Sequence, residues 1–351
     1  MAVARRAARV VARLRAAARA HDASTARVAA RSLALRRAGW REDDAAILGL
    51  LDPALDLEGA AAWAVPRRDL YDAQDAVNAG ADLGPLDDKE RFGAEALAAG
   101  LPVAPRALVL GPGGDAAEWA RALREHAPAE FVVKPAGGMS GAGIVFAARA
   151  GDAVDVHGRG PATWPDLAAW LGSRAGRLVV ERRVRPHPAV AALTGQSGLA
   201  TLRIITLGGP GREPEIVYAV ARLPAGGSLV DNFRLAGGGV TGNLLAGVGR
   251  DGRLRRPFRV RPSGFGLERV DDHPDSGVRL TGARVPLWDA CRDAALAGAE
   301  AFGGVPLIGW DVAPADGGAV VVEGNGGWAA TADPDGGLVA LRDALRAAAR
   351  G

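Results

Sequence analysis

Asp311 and Glu323 lie in two apolar runs, LIGWDVA and AVVVEGN, joined by the turn-like PADGG. Runs of this kind read as strands, and counting outward from Gly317 sets the two carboxylates opposite each other across a hairpin. Alternation puts Gly309 and Asp311 on one face, and Val321, Glu323 and Asn325 on one face of the partner. Facing carboxylates repel unless a cation holds them together. Oxygen donors from Asp311, Glu323 and Asn325 suit one or two Mg²⁺ ions completed by phosphate, with Mn²⁺ as the alternative. On this reading, neutralising either carboxylate should keep the fold and, without nucleotide, relieve repulsion. Two solvated carboxylates on an exposed sheet face are the bland alternative, and the apolar neighbours of both speak against it.

Lysine gives a second signal. The chain has 43 Lys and Arg residues, of which only Lys89 and Lys134 are lysine. An ammonium is a compact point charge where a guanidinium is a wide planar fork, so the two lysines either mark places where the fork will not serve or survive by chance. Lys134 is followed by AGGMSGAG at 136–143, a surplus over the roughly two to five residues that a hairpin needs. That surplus fits a flap whose amides close over phosphate, and equally a loose hairpin tip. The other glycine-rich stretch, GPGGDAAEW, lacks both common phosphate-loop spacings and reads as a turn with Asp115 as helix N-cap. Arg203 in ATLRIITL shares a strand face with Thr201 and Ile205, where a charge either meets an anion or closes a salt bridge.

These residues need elements to position them. Residues 1–80 carry Ala, Arg and Leu at helical spacing, with breaks near His21 and at Asp52-Pro53 and no strand-like run. Beyond Pro102 strands and helices interleave: APRALVLG, FVVKPA, GIVFAA, RLVVERRV, ATLRIITLG and EIVYAVARLP as strands, WPDLAAWLGSRA as a helix, with further helices near 288–302 and 337–350. The order is α+β with hairpins and no regular βαβ repeat. GRLRRPFRVR reads as a strand pair with outward arginines.

The 351 residues carry 48% hydrophobic and 24% charged residues and a formal charge of +3. So small an excess does not call for nucleic acid. No apolar stretch reaches membrane-span length and no signal core follows the start, so a soluble cytoplasmic protein is expected. The Arg- and Ala-rich opening has a transit-peptide composition, but the whole chain shares that bias and a solvated helix face accounts for it. The lone Cys291, in a helix-like run, reads as a buried thiol.

Taken in order, these segments resemble the ATP-grasp superfamily, and within it the sugar-transfer-associated ATP-grasp proteins, near the glutamate-ligase-like members. DDKERFGAEALAAGLPVAP resembles the opening lysine motif, FVVKPAGGMSGAGI the second lysine and glycine loop, and LVVERRV the strand joining two lobes around adenine. TLRIITL, DNFRLAGGGVTGNL, HPDSGVRLTGARVPLW, IGWD and VVEGN follow in the family's order.

The resemblance implies an ATP-grasp fold over residues 86–351, preceded by a helical region over 1–85, with a small lobe near 100–184 and a C-terminal lobe over 195–351. It implies that Lys89 and Lys134 contact ATP phosphates under a loop containing Gly137, Gly138, Ser140, Gly141 and Gly143. Glu181, Arg182 and Val184 would face adenine, Arg203 the γ-phosphate, with Asn232 nearby, and Asp311, Glu323 and Asn325 would hold Mg²⁺. Arg203, Lys134 and Asn232 are then the catalytic candidates. Many ATP-grasp ligases have an acid two positions before the arginine, where this chain has Thr201. His187 and His273 fall in family-like stretches and are assigned no catalytic role. The implied chemistry is carboxylate activation by ATP followed by amide formation on small-molecule or peptide substrates. A kinase outcome or a regulator without turnover stays open, as does the oligomeric state, a homodimer among the candidates.

Overall fold

The computed structural model describes residues 2–137, 143–174, 176–233, 239–330 and 332–350. Gly138, Ser140 and Gly141 lie outside the described residues. The chain opens with helices Ala2–Ala20, Thr25–Arg37 and Glu42–Ile47. Ser24 caps the second helix by accepting from Arg27 N, and Asp56 caps the short helix Leu57–Ala60. Capping satisfies amides that a helix start leaves without partners. Val28, Leu35, Leu48, Leu50 and Leu51 form the core of this region.

A six-stranded antiparallel sheet builds the small lobe: β1 (Arg106–Leu110), β2 (Glu130–Pro135), β3 (Val145–Ala150), β4 (Ala153–Val156), β5 (Gly160–Ala162) and β6 (Leu178–Arg182). Its order is β1-β6-β2-β3-β4-β5. Alternation sends Phe131, Val133 and Val180 to a core under the helices Ala116–His126 and Trp164–Gly172, and leaves Val132, Lys134 and Glu181 on the opposite face. Asp115 caps the first of these helices as expected.

The large lobe is a seven-stranded sheet of β7 (Thr201–Gly209), β8 (Arg212–Leu223), β9 (Leu244–Gly247), β10 (Phe258–Val260), β11 (Leu267–Arg269), β12 (Leu307–Ala315) and β13 (Gly318–Asn325). The strands lie in the order β11-β10-β9-β8-β7-β12-β13. Leu202, Ile204, Trp310 and Val312 pack one face against the helix Trp288–Ala301. Gly298 of that helix makes room for the Trp310 indole, since a Cβ there would lie 2.9 Å from the ring. GRLRRPFRVR contributes only β10; the partner strand, β11, comes from the following residues, so the expected strand pair is corrected.

The other face of this sheet is divided. Near Ile205 and Leu207 it is covered by the helices Arg67–Val77 and Gly337–Ala348, through Leu70, Ala73, Leu338 and Leu341. Asn78 Nδ2 donates to Leu307 O and Gly326 O, each at 2.9 Å, and its Oδ1 accepts from Leu307 N at 2.9 Å. Gln74 exchanges two bonds with the backbone of Trp328, also at 2.9 Å. The helical region and the large lobe therefore share a core across residue 85. The uncovered part of the face forms one wall of the cleft.

Candidate active site

The cleft between the two sheets has a volume of about 880 Å³. On the small-lobe side, β2 and β6 pair Val132 with Glu181 and Lys134 with Val179, so Lys134 and Glu181 are diagonal neighbours on one face. Lys134 Nζ donates to Glu181 Oε2 at 2.6 Å, and each side chain is 15% exposed. Glu181 thus engages the lysine. Val132, Ile144, Phe146 and Val184 give this wall an apolar surface. The amides of Arg182 and Arg183 are already donated to Pro105 O and Glu130 O.

Lys89 opens the helix Lys89–Ala98, where Asp88 Oδ1 accepts from Glu90 N at 2.9 Å and Arg91 N at 3.2 Å. Its backbone amide donates to Ala136 O at 3.1 Å, and Ala136 N donates to Arg177 O at 2.8 Å. The Arg177 guanidinium pairs with both Asp88 and Glu90. The start of this helix is therefore fastened to the strand end just beyond Lys134, and both lysines line the cleft. Gly137 is exposed. Gly143 has φ +80°, where a side chain would be strained, and a Cβ would meet the Pro135 ring at 3.3 Å.

On the large-lobe side the register is Asp311 opposite Glu323 and Arg203 opposite Asp311, which lines up residues of β7, β12 and β13. The hairpin is not regular. Ala315 pairs with Gly318 and Val312 with Val321, and a bulge then shifts the ladder before Asp311. Val322 is the extra residue. Val321 consequently drops into the core, while Val322, Glu323 and Asn325 line the cleft. Simple alternation had put Val321 with Glu323, and the bulge corrects it.

Arg203 grips Asp311 in a two-pronged pair, Nε to Oδ1 and Nη2 to Oδ2, the latter at 2.8 Å. Arg222 of β8 donates to the same Oδ2 at 2.8 Å and to Asn232 Oδ1 at 2.9 Å, and its Nη2 lies 3.2 Å from Asp231 Oδ1. Thr201 Oγ1 donates to Asp231 Oδ2. A carboxylate thus reaches Thr201 from the loop after β8. Arg222 and Asp231 were not singled out in the sequence. Arg222 could have been, because it is a charge in the apolar run EIVYAVARLP, just as Arg203 is in its own strand.

The electrostatics follow from burial. Desolvation alone would raise the Asp311 carboxyl, but Arg203 and then Arg222 outweigh it and hold the group well below the usual carboxylate range. Glu323 goes the other way: burial first, then the Asp311 charge, push it up, with Arg203 and Lys89 opposing. Burial likewise raises Asp231 against the pull of Arg222. Asp231 and Asp311 together keep the buried Arg222 charged. Glu323 in its protonated form can donate to the Asp311 carboxylate, the arrangement that two close carboxyls adopt when no cation separates them.

Asn325 Nδ2 lies 3.4 Å from Glu323 Oε1 and 3.2 Å from Gly309 O. Two carboxylates and an amide are too few to enclose an ion, and among the described residues no three His, Cys, Asp or Glu side chains cluster for that purpose. The set fits Mg²⁺, which binds through one or two carboxylates and takes its other oxygens from phosphate and water. Asp311 retains acceptor capacity beyond its arginine bonds, since a carboxylate has about four lone-pair sites.

The histidines have structural surroundings. His187 Nδ1 accepts from Ala189 N at the start of helix Pro188–Thr194. His273 is buried, with Nε2 2.9 Å from Pro224 O and Nδ1 accepting from Asp275 N. Burial lowers its pKa. Burial pushes the Cys291 thiol up to about 12, which leaves it inert. No helix among the described residues is long and apolar enough to cross a membrane.

A family model described as sugar-transfer associated ATP-grasp matches residues 70–339. No curated protein sequence matches the chain. Similar solved structures include a D-alanine-D-alanine ligase from Coxiella burnetii, at 12% identity over 76% of this chain and 59% of that one, TM-score 0.39. D-cycloserine synthetase DcsG gives 18% identity over 75% of this chain and 71% of that one, TM-score 0.38. The VanG D-Ala:D-Ser ligase from Enterococcus faecalis gives 13% over 75% and 61%, TM-score 0.44. The chain thus spans less than two thirds of the length of the Coxiella and Enterococcus proteins.

Proposed function

Since the chain belongs to the sugar-transfer associated ATP-grasp family, we propose that it is an ATP-dependent carboxylate–amine ligase. The observation that supports this best is the meeting of Arg203, Arg222, Asp311, Glu323 and Asn325 on one cleft wall, with Lys89 and Lys134 lining the same cleft. Lys89 and Lys134 hold the ATP phosphates, and Val132, Ile144, Phe146 and Val184 take the base. Asp311, Glu323 and Asn325 would hold Mg²⁺, which neutralises phosphate charge when bound.

An oxygen of the substrate carboxylate attacks the γ-phosphorus, the bond to the ADP oxygen breaks, and an acyl phosphate forms. Arg203 and Arg222, held rigidly by Asp311 and Asp231, face the charge that spreads over the transferred group, with Asn232 orienting Arg222. The amine nitrogen then attacks the carbonyl carbon, phosphate leaves with the bonding pair, and the nitrogen releases its extra proton. The products are an amide, ADP and phosphate. Substrates on this reading are small-molecule or peptide carboxylates and amines in the cytoplasm, with neither nucleic acid nor membrane as partner.

The test is interception. ADP release should require a carboxylate, and hydroxylamine should convert the acyl phosphate to a hydroxamate. Phosphate stably attached to an alcohol, with no hydroxamate, would replace the ligase by a phosphotransferase. ATP binding without turnover on any acceptor would leave a regulator.

A further inference from the structure

A carboxylate that attacks the γ-phosphorus has to lie beside the transferred group, so the rest of its molecule leaves along the surface adjoining Arg203 and Arg222. Asp311 takes two of the five N–H donors of Arg203, and Arg222 keeps donors beyond its bonds to Asp311 and Asn232. Toward β12 and β13 the cleft wall carries the carboxyls of Asp311 and Glu323. In the opposite direction it is apolar. The register sets Arg222 opposite Leu245 and Leu245 opposite Phe258, one row across β8, β9 and β10. Residues paired in this way share a face, and two strand spacings put Phe258 about 10 Å from Arg222. Along β8 the same face continues from Arg222 to Val220 and Tyr218, alternating with the buried Ala221 and Ala219. The Tyr218 O–H donates to Asp333 at 3.1 Å. Leu245 and Val220 are half-buried and line the cleft.

The loop after β8 brings a ring to this row. Asn243 Nδ2 donates to Val230 O and Asn232 O, each at 2.8 Å, and Thr241 Oγ1 donates to Asn232 O at 2.7 Å. So fastened, the loop supplies Asn232 to Arg222 and, one residue on, the half-buried Phe233, which also lines the cleft. The Phe233 ring meets the buried Phe258 edge to face, with centroids 5.9 Å apart and planes at 72°.

We propose that the carboxylic acid bound here has an apolar body, aliphatic or aromatic, seated on Val220 and Leu245 against Phe233, with its carboxylate at Arg203 and Arg222. Guanidiniums at one end and an apolar floor beside them complement a molecule of that kind. A polyhydroxylated or charged body would give up its water there without partners to replace it. The inference rests on the ligase reading only for the carboxyl being the end that reacts.

Calorimetry on the full chain, saturated with Mg²⁺ and a non-hydrolysable ATP analogue, tests this. The probes are acetate, butanoate, hexanoate and octanoate, with gluconate as the polyhydroxylated match of hexanoate and 3-phenylpropanoate as the aromatic arm. Each added methylene should tighten binding about threefold, and hexanoate should bind at least about tenfold more tightly than gluconate. The tighter of hexanoate and 3-phenylpropanoate tells an aliphatic body from an aromatic one. Leu245→Ser and Phe233→Ser change half-buried side chains. Both should flatten the rise with chain length while a fluorescent ATP analogue binds as before. No rise along the series, gluconate binding as tightly as hexanoate, or an undiminished rise in both variants would overturn the proposal. A rise that the variants flatten, without carboxylate-dependent ADP release, would remove the ligase reading and keep the pocket. Carboxylate-dependent ADP release with no rise would do the reverse.

Discussion

Lys134 and Glu181 form a single balanced ion pair on the small-lobe sheet. On the large-lobe sheet Arg203 and Arg222 are set among Asp311, Asp231 and Glu323, three carboxyls to two guanidiniums. The first arrangement is complete as it stands. In the second, burial and then the Asp311 charge push the Glu323 carboxyl up against the pull of Arg203 and Lys89, so a further positive charge beside it would favour its ionised form. One sheet therefore carries a neutralised pair, and the other a cluster in which one carboxyl is pushed up by its surroundings. Lysine stands in the first and arginine in the second, as expected of a crowded point contact and a two-pronged grip.

The sharpest break of this contrast is Asp311→Asn. It removes the negative charge and one of the two oxygens that Arg203 and Arg222 share, leaving Arg203 without its counter-charge while Asp231 still holds Arg222, so stability should drop on the order of 3 kcal/mol in denaturant titrations. ADP release should fall about 1,000-fold. The relief of repulsion anticipated from the sequence does not apply to Asp311, because two arginines already neutralise it. Glu323→Gln is the finer probe. It should lower turnover roughly 100-fold yet leave the melting temperature without nucleotide unchanged or higher, since Glu323 is the carboxyl the cluster neutralises itself. A marked loss of stability there would show that Glu323 is needed charged even without a cation.

On the small lobe, Lys134→Arg keeps charge and changes shape. A roughly tenfold loss in kcat/KM for ATP is expected in a folded protein. Unchanged kinetics would mean that the lysine serves only as a charge. The smallest effect should come from Arg177→Gln. Its pairs with Asp88 and Glu90 are partly exposed, so stability should move by less than about 1 kcal/mol, while KM for ATP rises a few-fold as the helix start bearing Lys89 keeps its backbone bonds but loses its side-chain fastening.

The strands and the facing of Asp311 and Glu323 were legible because alternation and turn residues report them directly; the two lysines stood out by their rarity, and only the family resemblance gave them a place. The right pairing emerged for an incomplete reason, however. Symmetric counting about Gly317 ignores that the turn register, continued without interruption, would set Asp311 against Val322; the bulge restores the match. A bulge at a run of valines leaves no mark in composition. Asp231 was equally hidden, since a loop carboxylate has no period and its meeting with Arg222 depends on tertiary approach. Arg203 left an anion and a salt bridge as alternatives, and its strand neighbour Asp311 supplies the latter. The anchoring roles of Gln74 and Asn78 left no mark in the sequence, because their backbone partners lie more than two hundred residues away.

That last separation governs how the chain can be made. Asn78 closes loops of 229 and 248 residues, and Gln74 one of 254. Contacts of such sequence separation form late, after most of the loop-closure entropy has been overcome. During synthesis the helix Arg67–Val77 emerges early, with Leu70 and Ala73 uncovered until β7 follows more than a hundred and twenty residues later, and fully enclosed only once β12 and the residues after β13 leave the ribosome. The small-lobe sheet is local and can form in the meantime. The nascent chain therefore carries a folded middle beside an uncovered apolar helix. That stretch is where a holding chaperone finds its target and where a stalled ribosome leaves a species prone to aggregate.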